Sequence, residues 1–392
     1  LLPSACTLLH VEYHLKIIEN IVARNNKNPS KFAAMYYKTE PFYTDMSRYV
    51  HTNNWEIYRA VELLSTMGYS IDLIDRSNHD WKPKKEYDIF LGLGVGNTGR
   101  LFSEYARRSK ARKKVLLSMG PQPDVSNKLV LERYHDFKNR TGHYVKPMRT
   151  VDMVIGDVWE EIVQETDYVF NIGEKNNNSF KSLEKYDLNV LNFFPGISPK
   201  VNFNNDWLKS RSKNNFLCFA GNGFICKGVD LLVESFLKNR HLNLHICGPD
   251  SERAFFEYYG NKISSSNNIT YHGFIQPGSD LFNNLAATCA YVIFNSAAEG
   301  CCTSVATAMK AGLVPIINSW TGINIEENLG YEMPEKGNRI DNITQYSEIA
   351  SNADQQKYES MVSNTLKKSE LFSQVSFTTS YKECLNRVLR SE

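Results

Sequence analysis

NSAAEGCCTSVATAMKAGLVPIINSW, residues 295–320, is the stretch whose reading decides the fold. An apolar run, Ala290 to Phe294, leads into a loop of small residues, and the spacing predicts a helix from Cys302 to Ala311. Gly312 would stop that helix, and a second apolar run, Leu313 to Ile317, follows at once. Strand, loop, helix and strand in that order make one αβ unit of an open parallel sheet. In doubly wound sheets a ligand binds outside the carboxyl ends of the strands, where helix N–H groups and the helix dipole favour anions. The loop sets Glu299 beside Gly300, just ahead of the predicted helix. Phosphates would lie against the backbone from Gly300 through Cys301 and Cys302 to Thr303, while Glu299 accepts hydrogen bonds from hydroxyl groups. A carboxylate next to a phosphate site suits a sugar attached to a diphosphate. The simpler reading of Glu299 is a first-turn charge on the helix dipole, worth about 0.3–1 kcal/mol.

Working outward, the chain has 392 residues, too many for one ordinary core, so two domains are expected. A net charge of +2 neither requires nor excludes a polyanionic partner. No apolar run approaches the ~18 residues of a membrane span. The opening LLPSACTLLHVEYHLKIIENI carries His10, Glu12 and Glu19 at helical spacing and lacks a basic n-region, so it reads as an amphipathic helix and not a signal peptide. Eight cysteines are scattered, with no CxxC pair and no zinc-ligand spacing. Cys218, Cys247 and Cys289 fall in or beside apolar runs, where a free thiol behaves as a small hydrophobe. A reducing, cytoplasmic setting is the economical expectation.

Strand and helix alternate along the first half. KFAAMYY (31–37), YSIDLIDR, YDIFLGLG (87–94) and KVLLSMG (114–120) read as strands, with a helix from about Asn54 to Met67. ETDYVFNIG (165–173) and NVLNFFPG (189–196) would close a first domain over residues 1–199. Between Asp124 and Val151 the chain is polar and mixed, a helix and an excursion outside the sheet. Residues 200–214 read as a linker. A second alternating series then runs from NFLCFAG to the opening αβ unit and fills a domain over residues 200–374. The last helix, about Thr379 to Leu389 within residues 375–392, would cross back to the first domain. Two Rossmann-like, doubly wound domains facing across a cleft are therefore expected.

Several smaller signals carry chemistry or imitate it. FAGNGFICKGVDLLVESF (219–236) ends a strand at Gly221, carries Gly223 in a loop and sets Lys227 and Gly228 before a helix. Glycines let backbone approach a phosphate and a lysine can neutralise it, although a plain βα turn with a surface lysine has the same pattern. ICGPD (246–250) is a strand end and a helix cap. Gly273, Phe274 and Ile275 end a strand on the same sheet edge and offer an apolar wall to a nucleobase. Gly92, Gly94 and Gly96 form a strand-end loop without the helix signature or acidic partner of a dinucleotide site. Cys301 and Cys302 at a helix start would have depressed pKa values; the plainer reading is that small side chains let a ligand approach. Trp55 reads as core and Glu56 as a first-turn dipole charge. Residues 107–114 hold six cations in eight positions. They would dock on an anionic membrane or simply solvate a helix end. No aromatics interleave with them, which argues against nucleic acid.

Taken in order, Gly221 with Lys227-Gly228, ICGP, HGFI and EG…S-V…AM-x-x-G-L-x-P-I resemble the nucleotide-binding domain of retaining glycosyltransferases of family four, with GT-B architecture. The resemblance covers about Asn215 to Ile317 well and the first domain in pattern only. It implies that Lys227 contacts the donor diphosphate, that Glu299 binds the donor sugar's hydroxyls, that Gly300 to Ser304 lie against the phosphates, and that Phe274 and Ile275 flank the base. His51, before a helix of the first domain, stands where such proteins often bring a histidine to the reacting sugar. Two positions depart from the family. Its usual arginine after the first loop glycine is Asn222 here, beside Gly223, and its second glutamate, which holds the ribose, is Thr307. A threonine offers one hydroxyl where a carboxylate takes both ribose hydroxyls.

The expectation is transfer of a sugar from a nucleotide sugar, as substrate and without cofactor, to a glycan or lipid-linked glycan. No DxD triplet is present, which fits a metal-free site. A catalytically silent sugar-nucleotide-binding protein and a GT-B epimerase or phosphorylase are the alternatives.

Overall fold

The computed structural model describes residues 16–23, 28–45, 52–94, 99–150, 159–173, 179–180, 187–191 and 207–391. The described strands form two sheets. In the first, β1 (Ile17–Ile21), β2 (Lys31–Tyr37), β3 (Tyr69–Asp75), β4 (Ile89–Leu93), β5 (Lys113–Ser118), β6 (Tyr168–Ile172) and β7 (Asp187–Leu191) lie in the order β1-β3-β2-β4-β5-β6-β7. Only β1 runs antiparallel. In the second, β8 (Ser212–Phe219), β9 (Asn243–Cys247), β10 (Ile269–Tyr271), β11 (Cys289–Phe294), β12 (Val314–Asn318) and β13 (Tyr331–Met333) lie in the order β10-β9-β8-β11-β12-β13, all parallel.

The crossover helices of the first domain are α1 (Thr52–Thr66), α2 (Gly99–Ser109), α3 (Pro123–Thr141) and α4 (Trp159–Gln164). Those of the second are α6 (Val229–Lys238), α7 (Arg253–Ser264), α8 (Asp280–Thr288) and α9 (Thr303–Lys310); α5 (Trp207–Ser210) precedes its first strand, α10 (Arg339–Ser351) and α11 (Gln355–Ser369) follow its last, and α12 (Gln374–Arg390) comes after them. β2 shows why a strand buried on both faces reads as a continuous apolar run. Ala33, Met35 and Tyr37 join one hydrophobic cluster, while Ala34 and Tyr36, one residue out of phase, join another around Phe102 and Tyr105 of α2. Gly92 and Gly94 belong to that second layer. A Cβ on Gly92 would lie 2.7 Å from Phe102 and one on Gly94 1.9 Å from Leu116, so these glycines serve helix packing.

α12 covers the first domain, not the second. The Phe377 ring lies 5.2 Å from that of Trp55 and the Tyr381 ring 5.5 Å from that of Phe170. Lys113 Nζ donates to the Val388 carbonyl at 2.6 Å. Beneath α12, Glu56, Tyr37 and Tyr381 line a cavity of about 10 Å³ together with Leu117 and Met119. This corrects the reading of Glu56 as a first-turn dipole charge: the helix has no acid in its first turn. The residue is 3% exposed, and neither carboxylate oxygen has a partner among the described residues. Burial pushes its carboxyl up to about 8.

Other departures are local. Residues 17–21, read as the end of a helix, form β1, because Ile17, Ile18 and Ile21 suit the open edge of β3. Part of the expected linker is structured: Trp207–Ser210 is a helical turn and Ser212–Asn214 already belong to β8. The basic run sits in the turn from α2 into β5, at the amino end of the sheet, away from the carboxyl ends that face a ligand. There Arg107 pairs with Glu165 at 3.0 Å, Lys114 with the same carboxylate, and Arg108 with Glu104. Among the described residues no helix is long and apolar enough to cross a membrane.

Candidate functional site

The second sheet reverses its strand order between β8 and β11. The region outside the carboxyl ends of the strands at such a reversal is the usual ligand position in this architecture. The loop after β8 is wound tightly: Lys227 N donates to the Gly223 carbonyl at 3.1 Å and Val229 N to the Phe224 carbonyl at 2.9 Å. Glu252, at the start of α7, accepts from Ile225 N at 2.9 Å and fixes the loop from outside. Gly228 has φ +75°, and a Cβ there would stand 2.2 Å from the Asn295 carbonyl. The loops after β8 and β11 therefore touch, and the contact delivers Lys227 to Glu299.

Lys227 Nζ, on a residue only 4% exposed, forms an ion pair with Glu299 Oε1 and lies 5.4 Å from the centre of the Phe294 ring. Arg149 Nη2 approaches the other carboxylate oxygen at 3.7 Å, and Ser296 Oγ donates to Oε1 at 3.4 Å. Burial by itself would raise the Glu299 carboxyl; Lys227 and then Arg149 overcome it and hold the group down at about 2. Its own backbone N–H donates to the Trp320 carbonyl at 2.9 Å, which orients the loop.

The first domain closes over this pair. A Cβ on Gly300 would lie 2.1 Å from the Met119 carbonyl, so the turn after β5 rests directly on the Glu299 loop. α3 then runs along the second domain. Arg133 Nη2 donates to Asn295 Oδ1 at 2.9 Å, Tyr134 Oη donates to Glu252 Oε1 at 2.6 Å, and Arg140 pairs with Asp230 and Glu234 of α6. The Phe137 ring packs 6.2 Å from each of Tyr258 and Tyr259. Arg149 follows in the loop beyond α3, so the second cation on Glu299 comes from the other domain.

The expected residues separate into groups. Lys227, Gly223 and Glu299 meet at one point, and Gly300, Cys301, Cys302, Thr303 and Ser304 follow into the first turn of α9. Asn222 is exposed at the loop's tip and accepts from Ser251 Oγ at 2.9 Å. Phe274 is 68% exposed and free to stack, whereas Ile275 is buried at 3%, so the apolar wall is Phe274 alone. Thr307 is 2% exposed, on the interior of α9. Cys302 favours the plainer reading over a depressed pKa: burial and the Glu299 carboxylate push that thiol up to about 11. His51 lies outside the described residues. Arg149, Arg133 and Glu252 were not found from the sequence. They stand in the polar stretch 124–151 and in a helix cap, and only the folded chain brings them to the loop.

Residues 202–364, within the second domain, match the model of the family Glycosyl transferases group 1, the resemblance that the ordered motifs carry. No curated protein sequence matches the chain significantly. Among solved structures, sucrose-phosphate synthase from Thermosynechococcus elongatus is 11% identical with a TM-score of 0.62, the match covering 92% of this chain and 100% of that one. Anabaena Alr3699/HepE in complex with UDP and glucose is 12% identical with a TM-score of 0.56, covering 91% and 100%. The pneumococcal O-GlcNAc transferase GtfA in complex with UDP and GlcNAc is 14% identical with a TM-score of 0.49, covering 77% of this chain, which spans 57% of its length. At such identities the likeness is one of fold, and the fold is GT-B.

Proposed function

We propose that the protein transfers a sugar from a nucleotide sugar to a glycan or lipid-linked glycan, with retention of configuration, in cytoplasmic polysaccharide or glycoconjugate biosynthesis. The observation that carries this reading is the Lys227–Glu299 pair at the strand-order reversal, with the first domain laid against it. UDP and glucose in the Anabaena protein of the same fold support a uridine nucleotide sugar as the first donor to try.

The bond from the anomeric carbon to the diphosphate breaks, and its electron pair leaves on a phosphate oxygen. Lys227 and the first N–H groups of α9 stabilise that charge. Glu299, kept ionised far below neutrality, accepts hydrogen bonds from sugar hydroxyls and fixes the ring while the acceptor oxygen bonds the same carbon. The acceptor's proton goes to the departing diphosphate. The cationic groups carry the charge stabilisation, so the reaction is proposed to proceed without cofactor or divalent metal. The acceptor would lie on the first domain. If it is lipid-linked, a membrane contact through the basic run would fall first to the exposed Lys110, since Arg107, Arg108, Arg112 and Lys114 have carboxylate partners and Lys113 donates to the Val388 carbonyl.

Thermal-shift measurements of wild type and Glu299→Ala against UDP-, GDP-, ADP-, CMP- and TDP-linked sugars test the donor site, because a ligand of the folded state raises Tm by mass action. One sugar nucleotide should stabilise wild type, and Glu299→Ala should lose the preference for it over the bare nucleotide. No shift with any of them would remove the donor-site reading. Binding without turnover across a broad acceptor panel would favour a silent binding module, the reading that Asn222 and Thr307 support.

A further inference from the structure

The diphosphate site as read from the second domain alone has one cation, Lys227, already committed to Glu299. The family's second cation is missing from its usual place, where Asn222 points to solvent. Three observations converge on Arg149. Its Nη2 lies 3.7 Å from Glu299 Oε2, an attraction looser than a hydrogen bond, while its side chain is still 44% exposed. Its aliphatic stem rests on the glycine of the lysine loop: a Cβ on Gly223 would stand 3.3 Å from Arg149 Cδ. Its backbone has φ +65°, a left-handed conformation that non-glycine residues rarely hold. Such strain persists where the surroundings fix it and clusters at functional sites. α3, which leads into the loop that carries Arg149, is anchored on the second domain through Arg133, Tyr134 and Arg140.

Resting on the donor-site reading above, we infer that Arg149 is the second diphosphate-binding cation and that it is supplied across the cleft by the first domain. Two cations against one carboxylate leave the pocket with a surplus positive charge, which a diphosphate neutralises. The planar guanidinium can turn from its loose contact with Glu299 to bind phosphate oxygens in bidentate fashion, and Lys227 keeps the carboxylate ionised. The donor is then held by both domains at once.

Isothermal titration of the full chain tests this, using UDP, GDP and ADP, the corresponding monophosphates and inorganic pyrophosphate on wild type, Arg149→Ala, Arg149→Lys and Arg149→Gly. Losing a charge-assisted contact should weaken the nucleoside diphosphate that wild type binds by about 10- to 100-fold. The monophosphate should change by less than about threefold, since that contact lies beyond its reach. Arg149→Lys should recover part of the loss. Arg149→Gly, which suits the left-handed backbone, should match Arg149→Ala and so separate charge from strain. If diphosphate and monophosphate weaken equally, Arg149 is merely structural and the inference fails. Unchanged binding in Arg149→Ala defeats it as well, with the donor site intact. If wild type binds neither a nucleotide nor pyrophosphate, the donor-site reading falls first and takes this inference with it.

Discussion

Glu299 and Glu56 are both buried carboxyl groups, one in each domain, and their surroundings drive them in opposite directions. Glu299 sits between Lys227 and Arg149 and is held ionised down to about 2. Glu56 lies beneath α12 with both oxygens unpartnered among the described residues, beside Tyr37 and Tyr381, and burial pushes it up to about 8. Desolvation acts on both; the difference is the nearby cations. A buried acid becomes an anion site when the fold spends two cations on it, and a neutral packing group when it spends none. The pair separates the chemistry of the molecule from its architecture.

The largest expected effect comes from removing the cation that makes Glu299 what it is. Lys227→Met should cost about 3 kcal/mol or more in urea unfolding, because a buried charge is left with one distant partner, and it should abolish stabilisation by nucleotide sugars. A variant as stable as wild type would mean that Glu299 does not depend on Lys227.

Next comes pH. Glu56 binds its proton more tightly when folded than at its ordinary 4.5. Wild-type stability should therefore decline as pH rises from about 4.5 to about 8, by up to about 1.4 kcal/mol per unit, and level off above. Glu56→Gln should lack the share of that decline that Glu56 contributes and so show a shallower one. Glu299 has the opposite sign: its contribution is present above 4.5 and is lost as pH falls towards about 2. Denaturation curves of wild type and Glu56→Gln from pH 3 to 9 sharpen the comparison, and parallel curves between pH 5 and 8 would break it.

Gly300→Ala should cost roughly 1–3 kcal/mol, since the new methyl meets the Met119 carbonyl at 2.1 Å and pushes the two domains apart. Transfer should fall with it while the pH dependence from Glu56 stays. The smallest effect on stability is expected from Phe274→Ala, within about 0.5 kcal/mol for so exposed a ring. Its nucleotide affinity should still fall by roughly fivefold or more through lost base stacking. A stability loss with unchanged affinity would make Phe274 a packing residue.

Most of the second domain was legible because parallel strands buried on both faces are continuous apolar runs, and glycines with Lys227 and Glu299 mark the loops between them. Boundaries moved by a residue or two: the expected helix from Cys302 to Ala311 is Thr303–Lys310, with Cys302 as its cap. The three-residue β13 left no periodicity to read. Glu56 misled because an acid near a helix start looks the same whether that face of the helix meets water or another helix. What covers it, α12, lies more than three hundred residues further along the chain. Arg149 was illegible for a related reason. Nothing in VKPMRT distinguishes a surface arginine from one carried across a domain boundary.

The two domains each keep an element belonging to the other. α3, from the middle of the first, lies on α6 and α7 of the second, and α12, from the end of the chain, roofs Trp55, Tyr37 and Phe170 of the first. During synthesis the first sheet leaves the ribosome with that apolar roof still untranslated, and it waits almost the length of the second domain to be covered. Cutting the gene between the domains would not yield two modules, because each half would expose the seat of a helix encoded in the other.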